Sequence, residues 1–390
     1  MATPSTTRAA VTREELLSRA SALVPALAER AARAEQLRQI PPETVEDLVA
    51  SGLIRIGNPE RYGGLGIEID AAYEVAWELG RGCGSTAWCC SLWTIHNWWI
   101  GHFSERAQDE FFAGGPDTLY SSGLNPAGGK AEPAAGGLRL SGRWGFSSGC
   151  DAAGWAMVAI PGPGPDGRLW MLVPRPDYEI VDTWFASGMR GTGSKDIVVK
   201  GAFVPAHRVM DPGLAGDGDW TGWELHRRPS YRVPLRCLAG WDLAAPLIGM
   251  AQGAVDAFTS RLQGTSASGR SADPVGLQMR LAEASAEVDT ARLLHRHDIG
   301  EMLDRAARGA GFTELDRARY RRDKAFIARL CLGAVNRLFE AAGARAILDA
   351  EPLQRFHRDA HAAAHHYTLG WDVPAEEFGR LALGLGPRPG

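Results

Sequence analysis

Several things are missing from this chain of 390 residues, and each absence removes a class of function. Charge of one sign is not in excess: 42 Lys and Arg stand against 46 Asp and Glu, a net charge of −4. No strong field therefore invites nucleic acid or an anionic membrane surface. No apolar run approaches the roughly 20 residues that a membrane helix needs. The opening MATPSTTRAAVTREELL lacks a basic-then-apolar signal pattern, and residues 1 to about 10 read as a disordered lead-in. Neither a nucleic-acid nor a membrane partner is expected, and the expected compartment is the cytoplasm. Cysteine is scarce. Cys83, Cys89, Cys90, Cys150, Cys237 and Cys331 include no Cys-x-x-Cys pair, so reduced, half-buried packing residues are expected. No Gly-x-Gly-x-x-Gly follows a strand-like run, which argues against a Rossmann dinucleotide site.

Tryptophan is what the chain has in excess. There are 13, where a usage of roughly 1% would give about four. Trp88, Trp93, Trp98 and Trp99 cluster. Such a cluster builds a core, and it equally suits a pocket for a flat ligand.

The texture along the chain changes twice. Residues 11–36 carry apolar positions at helical spacing. Pro41 and Pro42 start a second helix, PPETVEDLVASGL, closed by Gly52. Residues 70–80, 84–103 and 105–113 read as helices again, making 11–115 an all-α domain. Period-2 alternation then takes over in GGLRLSGRWGFSSG, WAMVAI, RLWMLVP and DIVVKGAFVP, with PGPGPDG as a hairpin turn. Residues 116–212 are expected to form a β-domain, followed by an irregular connection over 211–232. Four long helical runs fill 233–390, interrupted by a Gly/Ser-rich loop at 264–273. The expected fold class is α+β, mostly α. It has an N-terminal helical domain, a central β-barrel-like domain and a C-terminal four-helix bundle, not the alternation of an α/β nucleotide fold.

Five segments occur in order: PERYGGLG; GSTAWCCSLWTIHNWW; SGRWGFSSGCDAAGWAMV; WFASGMRGTGSKDIVV with FVPAHRV; and RDAHAAAHHYTLGWD. Together they resemble the acyl-CoA dehydrogenase superfamily from about residue 12 to 375. They are most similar to its flavin-dependent monooxygenase branch, the oxygenase components of two-component aromatic hydroxylases. The resemblance implies a reduced flavin, FAD or FMN, delivered by a separate NAD(P)H:flavin reductase. It implies reaction with O2 to a C4a-hydroperoxide and insertion of one oxygen atom into a small, aromatic substrate. A homotetramer is also implied. The family's adenosine-binding Gly-Gly-x-Gly-Tyr is replaced by AAGARAI, which leaves FAD versus FMN open.

A dehydrogenase of this superfamily needs a carboxylate base to take a proton beside the thioester. One family position for that Glu follows an Arg-Asp pair. Arg358 and Asp359 are present, but the stretch then reads His365, His366, Tyr367, Thr368, with Tyr367 at the Glu position. The other position falls near Ala244, with Asp242 two residues away. Both bases are missing, which favours oxygenation. Two alternatives stay open: an acyl-CoA dehydrogenase or flavin oxidase with an unexpected base, and a non-catalytic flavin-binding homologue.

The same resemblance assigns site residues. His366 would stand near the flavin C4a and donate to, or hold the proton of, the oxygen adduct. His365 lies about 100° away on a continuous helix, so only one of the two faces the ring. Ser147 in GFSSG would reach flavin N5 through its hydroxyl, with Ser148 contributing backbone. Leu124 and Asn125 would line the flavin through backbone groups, and Ser194 of RGTGS would be a polar contact. His96 would orient an acidic ring hydroxyl of the substrate or take its proton, with Trp93 and Ser122 beside it. Each residue has a plainer reading: His96 as a satisfied core histidine, Ser147 as a turn serine, His365 and His366 as a surface pair. His361 and His365 are four apart, as helical metal ligands can be, but no third ligand is visible and no metal is expected.

Overall fold

The computed structural model describes residues 11–163, 167–213, 221–267 and 275–386. The lead-in at 1–10, part of the PGPGPDG turn and most of the Gly/Ser-rich loop lie outside the described residues.

The chain opens with α1 (Arg13–Leu37), whose Thr12 side chain accepts from Glu15 N ahead of two acidic first-turn residues. α2 (Pro42–Ser51) has proline at its start and stops at Gly52, φ 72, as the sequence predicts. α3 (Asp70–Gly80), α4 (Gly84–Ile100) and α5 (Glu105–Phe112) follow. Nearly every residue of α4 is buried, so this helix is covered on every face and runs through the interior, polar His96 and Asn97 included.

Eight strands come next: β1 (Tyr120–Gly123), β2 (Gly129–Ala134), β3 (Gly137–Ser147), β4 (Trp155–Pro161), β5 (Arg168–Pro174), β6 (Glu179–Val181), β7 (Lys195–Pro205) and β8 (Val209–Met210). They form two four-stranded sheets, ordered β1-β4-β5-β8 and β2-β3-β7-β6. Leu140, Trp144, Ile197 and Val199 of one sheet share a core with Val158, Ile160, Met171 and Val173 of the other. The barrel-like expectation is therefore met by two sheets around one apolar layer.

Short helices α6 (Thr221–His226) and α7 (Leu235–Leu238) lead to α8 (Trp241–Ala267), α9 (Val275–Ala307), α10 (Glu314–Ala341) and α11 (Pro352–Ala364). These last four are the expected bundle. A second, larger core joins them to the N-terminal helices. α3 crosses α8 where a Cβ on Gly80 would fall 2.8 Å from the Cα of Gly249, so two glycines permit the close approach.

The helix expected over 84–103 ends at Ile100, the connection expected to be irregular over 211–232 contains α6, and a third difference bears on the site. The last helical run was expected to continue through His366 to Asp372. α11 instead ends at Ala364, with His365 as its cap. His366 turns to extended backbone, φ −63 and ψ 133, and its side chain accepts from Thr368 N. That side-chain bond competes with the helical one and stops the helix. A further helix, α12 (Asp372–Ala382), follows.

Candidate active site

Helix α4 and strand β1 pin each other through His96. Tyr120 Oη donates to the His96 carbonyl at 2.6 Å, and His96 Nδ1 lies 3.2 Å from the Tyr120 carbonyl. A carbonyl only accepts, so Nδ1 carries the proton and Nε2 keeps its lone pair. Nε2 lies 3.2 Å from Ser122 Oγ, which must donate to it. The ring is stacked on Tyr120 at 4.6 Å and tilted against Trp99 at 5.0 Å. Burial pushes the imidazole down to about 4, so near neutral pH it is an uncharged acceptor.

Ser147 owes its direction to a defect in β3. The pairing with β7 shifts between Trp144 and Ser147, and Phe146 takes φ 62. Strict alternation would put Phe146 on the same side as the buried Trp144. The bulge inverts this: Phe146 is 79% exposed and Ser147 0% exposed.

The neighbouring hydroxyls form a chain with a fixed direction. Trp88 Nε1 donates to Ser148 Oγ at 3.3 Å; Ser148 and Ser194 Oγ are 2.7 Å apart; Ser194 Oγ and Thr192 Oγ1 are 2.6 Å apart; Thr192 Oγ1 donates to the Met189 carbonyl at 2.8 Å. An indole N–H only donates and a carbonyl only accepts, so every proton in between points toward Met189. Ser148 and Ser194 therefore have no hydroxyl proton left for a ligand. Ser147 does: its Oγ is buried without a protein partner, and so is Trp93 Nε1. Trp93 lies against Gly149, where a Cβ would come within 2.7 Å of the indole.

The two halves meet through Trp88, whose ring makes an edge contact with His366 at 6.1 Å. His366 Nδ1 is 2.9 Å from Thr368 Oγ1. Since Nδ1 also accepts from Thr368 N, the neutral ring holds its proton on Nε2. Burial, then the charge of Lys324, push His366 down to about 4. His365 is exposed and bonds back to the His361 carbonyl, so the two histidines are separated by the helix end and not by a helical turn. Leu124 packs on the helical core, whereas the exposed Asn125 caps the turn after β1 by accepting from Ala127 N.

The expected dehydrogenase bases remain missing. Tyr367 is 76% exposed and Ala244 is buried. Asp242 accepts from Gly240 N at 3.0 Å; burial raises it to about 6, opposed by Lys324. Among the described residues, one group of three ligand-type side chains gathers, His297, Asp298 and Glu301. Arg319 already bonds Asp298 and Glu301 there. His361 Nε2 is held by Asn336.

Sequence reasoning missed Trp88, Thr192, Thr368 and Lys324. Trp88 was visible only as one of a cluster, and nothing in the sequence marks Lys324 as buried.

The acyl-CoA dehydrogenase N-terminal domain model matches residues 12–113 and the C-terminal domain model matches 242–371. The chain is 35% identical to the "Flavin-dependent monooxygenase, oxygenase subunit HsaA" of Mycobacterium tuberculosis (strain CDC 1551 / Oshkosh), covering 96% of each. It is 33% identical to the "FADH(2)-dependent resorcinol hydroxylase, oxygenase component" of a Rhizobium species, covering 96% of this chain and 95% of that one. The crystal structure of 3-HSA hydroxylase from Rhodococcus sp. RHA1 superposes with a TM-score of 0.91 at 33% identity, covering 96% and 98%. The chain belongs to the flavin-dependent monooxygenases of the acyl-CoA dehydrogenase fold. This monooxygenase uses reduced flavin, and its residues fit that group. An unsatisfied buried donor costs about 1–3 kcal/mol, and Ser147 Oγ and Trp93 Nε1 are two such donors awaiting polar atoms of a ligand. Among the described residues, no helix is long and apolar enough to cross a membrane.

Proposed function

We propose that this monooxygenase is the oxygenase component that hydroxylates a small phenolic ring, with reduced flavin supplied by a separate NAD(P)H:flavin reductase. When bound, the reduced flavin activates dioxygen and supplies one of its oxygen atoms. His96 and Ser122 hold the ring hydroxyl, Trp93 lies beside the ring, and Ser147 and His366 face the flavin. Backbone of Leu124, Asn125 and Ser148 lines the flavin; the Ser194 hydroxyl serves to hold Ser148.

One observation carries the substrate class: the His96 Nε2 lone pair sits among buried aromatic rings, and among the described residues Ser122 is its one donor. A ring hydroxyl can take the place of Ser122 or share it. An imidazole whose protonation lies near 4 is a weak base, so His96 accepts a hydrogen bond from the phenol and does not store its proton. The hydrogen bond raises electron density on the ring, which favours attack on an electrophilic oxygen. The packed rings of Trp88, Trp93 and Trp99 exclude water.

We take 11–115, 116–212 and 233–390 as the working domains. A homotetramer is supported by apolar side chains left exposed on and after the bundle, including Met279, Leu293, Ile347, Val373 and Leu383. The cytoplasm is supported by six buried cysteines that form no disulfide. The test supplies chemically reduced flavin, air and a panel of phenols, their methyl ethers and thioesters. Hydroxylated product is expected from phenols alone. Equal turnover of phenols and methyl ethers overturns the assignment of His96.

A further inference from the structure

The exit of α11 carries more than His366. Thr368 presents two donors to one imidazole nitrogen: its hydroxyl at 2.9 Å and its backbone N–H at 3.4 Å from His366 Nδ1. Behind Thr368 lies Lys324 of α10, 3% exposed, whose ammonium donates to the Ala239 carbonyl. Gly240 brings these groups together. A Cβ built there would lie 2.6 Å from Thr368 Oγ1 and 2.8 Å from Lys324 Nζ, so only glycine, here at φ 86, leaves the space.

An ammonium has only protons to offer. Lys324 Nζ and Thr368 Oγ1 flank the same small space at Gly240, and since Nδ1 already accepts from Thr368 N, the Thr368 hydroxyl donates its own proton to His366. We infer that Thr368 and Lys324 are positioning residues that hold His366 as a neutral imidazole with its proton on Nε2. The inference rests on reading His366 as the group that faces the flavin, and it specifies in which form: as a donor.

The groups facing this assembly are few. α4 contributes the uncharged Trp88, and the turn after α11 contributes Tyr367, ring to ring at 4.8 Å. α10 contributes Lys324 with Arg321 acting on it, and α8 contributes Asp242, which favours the charged lysine. Lys324 is itself lowered to about 8, first by burial. It stays charged at neutral pH and opposes a second charge on His366.

The test is 15N magic-angle-spinning NMR on the full chain labelled in histidine, with His366 assigned by loss of its signals in His366→Asn. The wild type is expected to show an unprotonated Nδ1 and a protonated Nε2. Thr368→Val should move a several-fold larger share of the ring to the Nδ1–H form, with Thr368→Ser restoring the wild-type pattern. Lys324→Met should raise the pH at which His366 protonates, and Lys324→Arg should not. Unchanged signals and midpoint in both Thr368→Val and Lys324→Met overturn the inference. If Lys324→Met fails to fold, the Thr368 pair still decides. In Thr368→Val the ratio of hydrogen peroxide to product is also measured. A shifted tautomer with an unchanged ratio supports the inference and overturns only the role given to His366.

Discussion

The two histidines proposed for the site are both pushed down to about 4, first by burial, yet they present opposite hydrogen-bonding groups. His96 gives its Nδ1 proton to a backbone carbonyl and presents a lone pair. His366 takes a backbone N–H at the same ring position and presents a proton. The difference comes from one neighbouring group, a C=O in one place and an N–H in the other. Burial at His96, and partial burial with the charge of Lys324 at His366, set a similar charge state, while the backbone decides whether the imidazole accepts or donates. A ring that should hold a phenol needs an acceptor; a ring that should meet a reduced-oxygen species needs a donor.

The comparison can be broken at its acceptor end first, where the largest effect is expected. His96→Ala should lower hydroxylated product from phenols by roughly 10²–10³-fold, the range for removing one preorganised hydrogen-bonding group from an active site. Oxygen consumption should persist, measured by oxygen electrode beside product chromatography. At the donor end, His366→Asn should divert oxygen to hydrogen peroxide and reduce coupled yield by about tenfold, near 1.4 kcal/mol. If both variants fail in the same way, by loss of product without peroxide, the division of roles is wrong.

A third pair separates the two serines next to each other. Ser148→Ala breaks the directed hydroxyl chain and strands Trp88 N–H, so the free chain should lose about 1–3 kcal/mol in denaturant unfolding. Ser147→Ala removes a hydroxyl that has no protein partner. It should leave the stability of the free chain nearly unchanged and weaken reduced-flavin binding severalfold. Equal effects on stability would mean that Ser147 is packing only.

The smallest effect concerns pH. An unfolded histidine titrates near 6.5, and His96 and His366 titrate near 4 in the fold. Between these values the unfolded chain binds more protons, so stability rises with pH and is lost as pH falls from about 6.5 toward 4. Asp242 and Asp359, raised to about 6 by burial, act with the opposite sign: their contribution is lost as pH rises through about 6. His366→Asn should therefore make the acid limb of the stability curve shallower by up to one proton, read from urea unfolding at stepped pH. An unchanged slope would mean that His366 is not buried neutral.

Much of the architecture could be read from residue patterns. Proline at the start and glycine at the end framed α2, period-2 runs located β3, β4, β5 and β7, and four long helical runs located α8 to α11. His96, Ser147 and His366 were singled out as candidates by resemblance because each sits in a short recognisable segment. The end of α11 was not legible. Helical propensity continues past Ala364, and only a side-chain bond from His366 to Thr368 N stops it. The inward turn of Ser147 was not legible either, because alternation predicts the other face and a bulge at Phe146 reverses it.

The amino-acid order by itself determined the element types and their succession, since these are matters of local periodicity and residue identity; the loss of both carboxylate bases was read from it through the family resemblance. Tertiary structure alone decided which nitrogen of each imidazole carries the proton, which serine keeps a free hydroxyl and that Lys324 is buried near Thr368. Those properties depend on where the backbone, folded locally at His366 and from a distance at His96, brings a donor or an acceptor, and hydrogen-bond direction is fixed only when both ends of a chain of contacts are in place.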